Sequence, residues 1–190
     1  MALIMCTKKL WTALNHARRL PVDVDRPLVK AALLGDWAAT SARFRRRELV
    51  LALNSKTWLT LVFPLAPRVR FRASFVTALD EALEDHKVIP VDAAVRECAE
   101  IEVARIDHLA DAELRAGLEA VEFMCGVEME FHGDLRRVQW NLNQFPHRKD
   151  DPCVPSDALL ALFGSVERVG ASGSRTPRRP RGTRTPFAAR

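Results

Sequence analysis

Short apolar runs and longer stretches with apolar residues three or four apart follow one another along the chain, and the two spacings predict different elements. Residues 2–6, Ala-Leu-Ile-Met-Cys, predict a strand. Thr7 then caps a helix over 8–17 that turns Leu10, Trp11 and Leu14 inward. Arg18 and Arg19 at its C-terminal end suit the helix dipole. Pro21 and Pro27 bracket a loop, after which 28–34 predicts a short helix stopped by Gly35.

The strongest β pattern follows. Residues 36–44 predict one strand. Residues 48–53 hold the continuous run Leu-Val-Leu-Ala-Leu, and 57–63 read Thr-Trp-Leu-Thr-Leu-Val-Phe, rich in β-branched and aromatic side chains. Asn54-Ser55-Lys56 between them is turn chemistry, so these two runs predict a hairpin. Both of its faces are largely apolar, which predicts a central hairpin covered on both sides. Pro64 and Pro67 end it. Residues 71–86 carry Phe71, Phe75, Leu79 and Leu83 at helical spacing. A shorter helix over 91–99 and a half-exposed strand over 100–106 come next. Residues 111–132 predict a long helix with Leu114, Leu118, Val121 and Cys125 on one stripe, stopped by Gly133. Residues 135–145 and 156–163 predict two more helices, the last capped by Ser156 and stopped by Gly164. The fold class is α+β: a mostly antiparallel sheet of four or five strands with a central hairpin, packed by helices.

Charge divides the chain in two. The net charge is +5, yet from Val169 onward there are six Arg (Arg175, Arg178, Arg179, Arg181, Arg184 and Arg190) and no acid. Removing those six leaves the first 168 residues at −1. The segment 169–190 has almost no apolar side chains to offset the entropy of ordering, which predicts a disordered Arg/Pro-rich tail after one globular domain over 1–168. Flexible cationic chain of this kind binds polyanions, nucleic acid among them. Arg outnumbers Lys 23 to 6, a bias that a GC-rich genome explains by codon usage.

Cys6, Cys98, Cys125 and Cys153 are far apart with no Cys-x-x-Cys pair, which points to a reducing, cytoplasmic setting. The apolar start is too short for a secretory signal and precedes Lys8 and Lys9 rather than following them. Glu119, Glu122, Glu128 and Glu130 interrupt the longest apolar window, so no membrane span and no membrane partner are expected. The five His are scattered without ligand spacing, so neither metal nor cofactor is expected. No nucleophile-elbow, zincin or phosphate-loop motif occurs, and no catalytic residue is assigned.

Three polar clusters carry what binding chemistry the sequence offers. Thr7, Lys8 and Lys9 lie at a strand-to-helix junction, where free N–H groups suit an anion; the plainer reading is a helix cap with solvated lysines. Arg45, Arg46 and Arg47, beside Arg43, can grip phosphate or an acidic partner, or form a solvated turn that keeps a sheet from edge pairing. Asn141 and Asn143, with Arg136, Arg137, Gln139 and Trp140, make a polar aromatic segment. It suits base-edge or backbone recognition, or internal capping around a Trp packed in the core.

The opening Cys6-Thr7-Lys8-Lys9-Leu10 resembles the start of a bacterial family, the domain of unknown function 6933. Gly35-Asp36-Trp37-Ala38, then Arg45-Arg46-Arg47-Glu48-Leu49-Val50-Leu51, then Asn54-Ser55-Lys56-Thr57 continue that resemblance in order over the first ~65 residues. Many members carry Asn-Arg-Ser and Gly-Ser-Met-Asn near the C-terminus. This chain has Arg136 to Asn143 instead, similar only in its Leu-Asn end. The resemblance implies a shared fold and a bacterial origin, and no activity.

These features together predict a non-enzymatic cytosolic module that binds a protein or a polyanion, with the basic tail adding affinity. A different class of function is a small hydrolase or transferase on a phosphorylated or nucleotide substrate, its site drawn from the three polar clusters. A third is a toxin–antitoxin or defence component.

Overall fold

The computed structural model describes residues 3–15, 33–88, 102–105, 112–146 and 154–172. Its elements are β1 (Leu3–Cys6), α1 (Lys8–Asn15), β2 (Trp37–Phe44), β3 (Arg47–Asn54), β4 (Thr60–Pro64), α2 (Phe71–Asp85), β5 (Glu102–Arg105), α3 (Ala112–Phe131), α4 (Leu135–Leu142) and α5 (Pro155–Ser172). A 3-10 turn, Arg68–Arg70, leads into α2. Residues 28–32 of one expected helix, all of 91–99 and the tail 173–190 lie outside the described residues; Leu33 and Leu34 form a bend rather than a helix end.

The strands form one mixed sheet in the order β4-β3-β2-β1-β5. β2, β3 and β4 make a long antiparallel meander. The N-terminal strand β1 enters between β2 and β5 and runs parallel to both. The class is α+β with mostly antiparallel pairing, as the alternation and turns predict. The hairpin β3–β4 is apolar on both faces, but β4 is the terminal strand and β2 is the central one. Continuous hydrophobicity reports coverage above and below a strand, and says nothing about its neighbours to either side.

Period-two alternation splits the strands between two cores. Ile4, Cys6, Trp37, Ala39, Val50, Ala52, Leu61 and Phe63 face α1, α2 and the start of α5. Met5, Ala38, Ala42, Leu49, Leu51 and Val62 face α3 and α4. The result is three layers, helices on both sides of one sheet. Trp37, fully buried, meets Phe75 edge-to-face with ring centroids 5.1 Å apart.

Two turns define the meander. Arg45 and Arg46 close β2 onto β3, with Arg45 in the left-handed region at φ 54°. The second turn is longer than expected, because β4 starts at Thr60 rather than Thr57. The buried Asn54 side chain explains the delay. Its Oδ1 accepts from Lys56 N, Thr57 N and Thr57 Oγ1, and its Nδ2 donates to the Leu34 carbonyl at 2.9 Å. Trp58 then takes a left-handed conformation (φ 62°) before the strand resumes.

The last helix also departs from expectation. It begins at Pro155 and continues through Gly164 to Ser172. Proline suits the first helical position, and a single glycine costs a helix only about 1 kcal/mol. Residues 169–172 therefore belong to α5, not to the tail.

His86 ends α2 in a buried position, and burial lowers its pKa below the usual 6.5 despite the neighbouring Asp85 charge. The folded state thus favours neutral imidazole. Its contribution is complete above pH 6.5 and is lost as pH falls through that value toward the lowered one. The urea midpoint is expected to drop between pH 7 and pH 5, and to drop less in His86→Leu. Identical pH slopes in the two proteins would sink this assignment.

Candidate functional site

Each sequence-derived polar cluster has a definite place. Thr7 caps α1: its Oγ1 accepts from Leu10 N at 3.5 Å and lies 3.0 Å from Thr40 Oγ1. Lys8 and Lys9 are exposed, and Lys9 Nζ stands 3.9 Å from Glu122. Arg45 and Arg46 are exposed at the β2–β3 turn, while Arg47 donates to the Gly133 carbonyl at 3.1 Å. Arg43 sits opposite Glu48 across that hairpin. The turn lies five residues along β2 from Thr40, about 16 Å at the usual rise per strand residue.

Asn143 is fully buried and committed to the edge of β4. Its Oδ1 accepts from Thr60 N at 2.7 Å, and its Nδ2 donates to the Thr60 carbonyl at 2.9 Å. One helical turn earlier, Gln139 Oε1 accepts from Val62 N at 2.7 Å while its Nε2 donates to the Ala78 carbonyl of α2 at 3.2 Å. Pro64, the next residue facing outward, has no N–H to offer. Four helical residues advance about 6 Å and two strand residues about 6.6 Å, so an i, i+4 amide pair on α4 can follow alternate groups of a strand edge. The edge of β4 is closed by side chains where another strand could pair.

Asn141 points the other way, donating to Glu128 of α3 at 2.6 Å. Arg136 is held by Asp85 and Glu84 of α2, with its Nη2 2.6 Å from Asp85 Oδ1, and this pairing raises its pKa. Trp140 is not a core residue: it is 41% exposed, with the Arg137 guanidinium 6.0 Å from its ring centroid. Arg47 thus meets the N-terminal end of α4, three residues before Arg136, while the junction at Thr7, Lys8 and Lys9 and the Asn143 end of α4 lie apart from that turn. Asn143 is level with Leu53, six residues or about 20 Å along β3 from Arg47.

Between α2 and α4, beside β4, lies an open cavity of about 350 Å³ lined by Phe63, Pro64, Ser74, Thr77, Glu81 and Leu135 among others. Its volume is near the lower end for small-ligand sites. The two described thiols, Cys6 and Cys125, are free and buried. Burial raises both, Cys125 to about 12 with help from the Glu122 and Glu128 charges, which suits packing rather than nucleophilic attack. Among the described residues no group of three His, Cys, Asp or Glu could hold a metal, and no helix is long and apolar enough to cross a membrane.

The most distinctive surface is the outer face of α3. Its inner stripe, Leu114, Leu118, Val121, Cys125 and Met129, is buried against the sheet. On the opposite side Phe123 is 74% exposed, Val127 40% and Phe131 76%. These three recur every four residues, so they form one ridge. The signal was present in the sequence as a second apolar stripe on one helix, but the inner stripe alone accounts for the amphipathic pattern.

The architecture defines a three-layer α+β domain whose β4 edge is sealed by a helix and whose outer helix bears an exposed apolar ridge. The chain belongs to the family Domain of unknown function (DUF6933), whose sequence pattern matches residues 3–158. No curated protein matches the chain.

Proposed function

We propose that this protein acts by binding, docking a protein surface on the outer face of α3 while the Arg-rich segment 173–190 adds affinity for polyanions. The exposure of Phe123 and Phe131 carries the reading. A phenylalanine presents well over 100 Å² of apolar surface, so the ridge reaches the few hundred Å² that marks interaction sites on soluble proteins. The near-neutral body makes an apolar contact the dominant attraction there, and the six Arg supply the electrostatic part.

Two measurements test the two halves. In Phe123→Ser/Phe131→Ser the fold should survive, since exposed substitutions shift stability by about ±0.5 kcal/mol. A partner cross-linked by the wild-type chain in its own cells should then be lost by the variant and retained by residues 1–172. Retention by the double variant would overturn the docking face. For the tail, fluorescence anisotropy with duplex DNA across a salt series should give a log–log slope of about −5 if all six Arg meet phosphates. Binding should vanish in residues 1–172. A salt-insensitive affinity, or one that survives the truncation, would overturn the tail's role.

A further inference from the structure

We infer that the partner seated on α3 is a second copy of this chain, packed antiparallel through the same helix; the inference rests on the docking face just described. The exposed stripe on α3 is not uniform. Its first half is small, with Ala112, Ala116 and Ala120 all exposed. Its second half is large: Phe123, Val127 and Phe131. The two halves mirror one another about the midpoint between Val121 and Glu122. A twofold axis there places Ala120 of one copy against Phe123 of the other, Ala116 against Val127, and Ala112 against Phe131. Each bulky side chain meets an alanine, twice over, as a self-complementary twofold contact requires. An unrelated partner would impose no such symmetry on this chain.

Charge under the same operator is mixed. Glu130 of one copy is level with Glu113 of the other, a like pair made twice, and Arg115, two residues further along, is the opposite charge nearest to Glu130. Nearer the centre, Glu119 of one copy approaches Glu122 of the other, a like pair that the ion pair between Lys9 and Glu122 offsets in part. A single pair of five-turn helices buries less than the ~800 Å² per partner of a standard interface, so the association is a reversible one.

The test uses the full chain in analytical ultracentrifugation over a concentration range, with four variants. The wild-type chain should shift from monomer to dimer. Phe123→Ser should weaken association at least tenfold. Glu119→Arg should strengthen it several-fold by replacing the like pair with an opposite one, read as a tighter monomer–dimer equilibrium with no larger species. Ala120→Cys, close to the twofold axis, should cross-link to itself with a short bismaleimide. Ala112→Cys should not, because its two copies lie about 28 Å apart along the antiparallel axis. A chain that stays monomeric at several hundred micromolar, or cross-linking of both cysteines alike, overturns the antiparallel dimer. If it stays monomeric while Phe123→Ser/Phe131→Ser still loses a captured partner, the docking face stands and only self-association fails. If neither measurement responds to the ridge, both readings fall.

Discussion

Replacing both Gln139 and Asn143 by leucine is expected to cost on the order of 4 kcal/mol or more, enough to bring a domain of ordinary stability close to unfolding. The two amides satisfy Thr60 N–H, Thr60 C=O and Val62 N–H along the edge of β4 and contact the Ala78 carbonyl of α2. All four hydrogen bonds are buried, and leucine of similar size fills the space without replacing any of them. A stranded buried backbone group costs about 1–3 kcal/mol. Asn143→Leu alone should be the more damaging single change. It removes the amide bonded to both the N–H and the C=O of Thr60, whereas the Ala78 carbonyl released by Gln139→Leu remains within α2. Urea denaturation followed by circular dichroism measures the loss. The freed strand edge should also make the variants prone to association through β4, visible as turbidity on refolding. A double variant within about 1 kcal/mol of wild type would show that α4 does not seal the edge in solution.

Gly117→Val is expected to destabilise the fold by about 3 kcal/mol, with Gly117→Ala at about 1–3. Gly117 lies on the buried side of α3, where a Cβ would overlap the Trp58 ring and stand 3.1 Å from Leu53 Cδ2. The ring has little room to yield. Trp58 is buried, and its backbone is held in the left-handed region by the Asn54-centred turn. Alanine also gains about 1 kcal/mol of helix propensity over glycine, so its net cost understates the clash. A Trp58→Leu background should relieve the penalty. A double-mutant cycle in which the two substitutions do not couple would place the indole elsewhere. Gly117 is thus a contact glycine in mid-helix, where the sequence pattern shows only a weak helix former.

Most of the secondary structure was legible because it depends on local periodicity. The run Leu49 to Leu53, the alternation of Phe71, Phe75, Leu79 and Leu83, and the stripe from Leu114 to Cys125 each reflect burial of one face or two. The structure places all of them in strands or helices of the expected type. Boundaries shifted where a single side chain reorganised the backbone, as Asn54 does ahead of β4, or where a presumed stop was too weak, as at Gly164. The Arg45–Arg47 segment was legible as a charged turn. The parallel pairing of β1 with β2 and β5 was not, because β1 is four residues long and its apolar run is compatible with either direction.

The candidate sites divide along the same line. The two faces of α3 follow from spacing alone, since 100° per residue sets Phe123, Val127 and Phe131 opposite the buried stripe. Whether an apolar ridge is covered by the rest of the chain depends on packing across distant residues, and only the tertiary structure shows Phe123 and Phe131 open to solvent. Asn143 looked like a recognition residue because amides donate and accept. The fold spends both capacities on Thr60, 83 positions away in sequence. The sequence by itself determined the fold class, the near-neutral body and the cationic tail, all of which depend on composition and short-range pattern. The tertiary structure decided strand order, the sealing of β4 and which polar and aromatic side chains remain free, because those depend on contacts between residues that no local period connects.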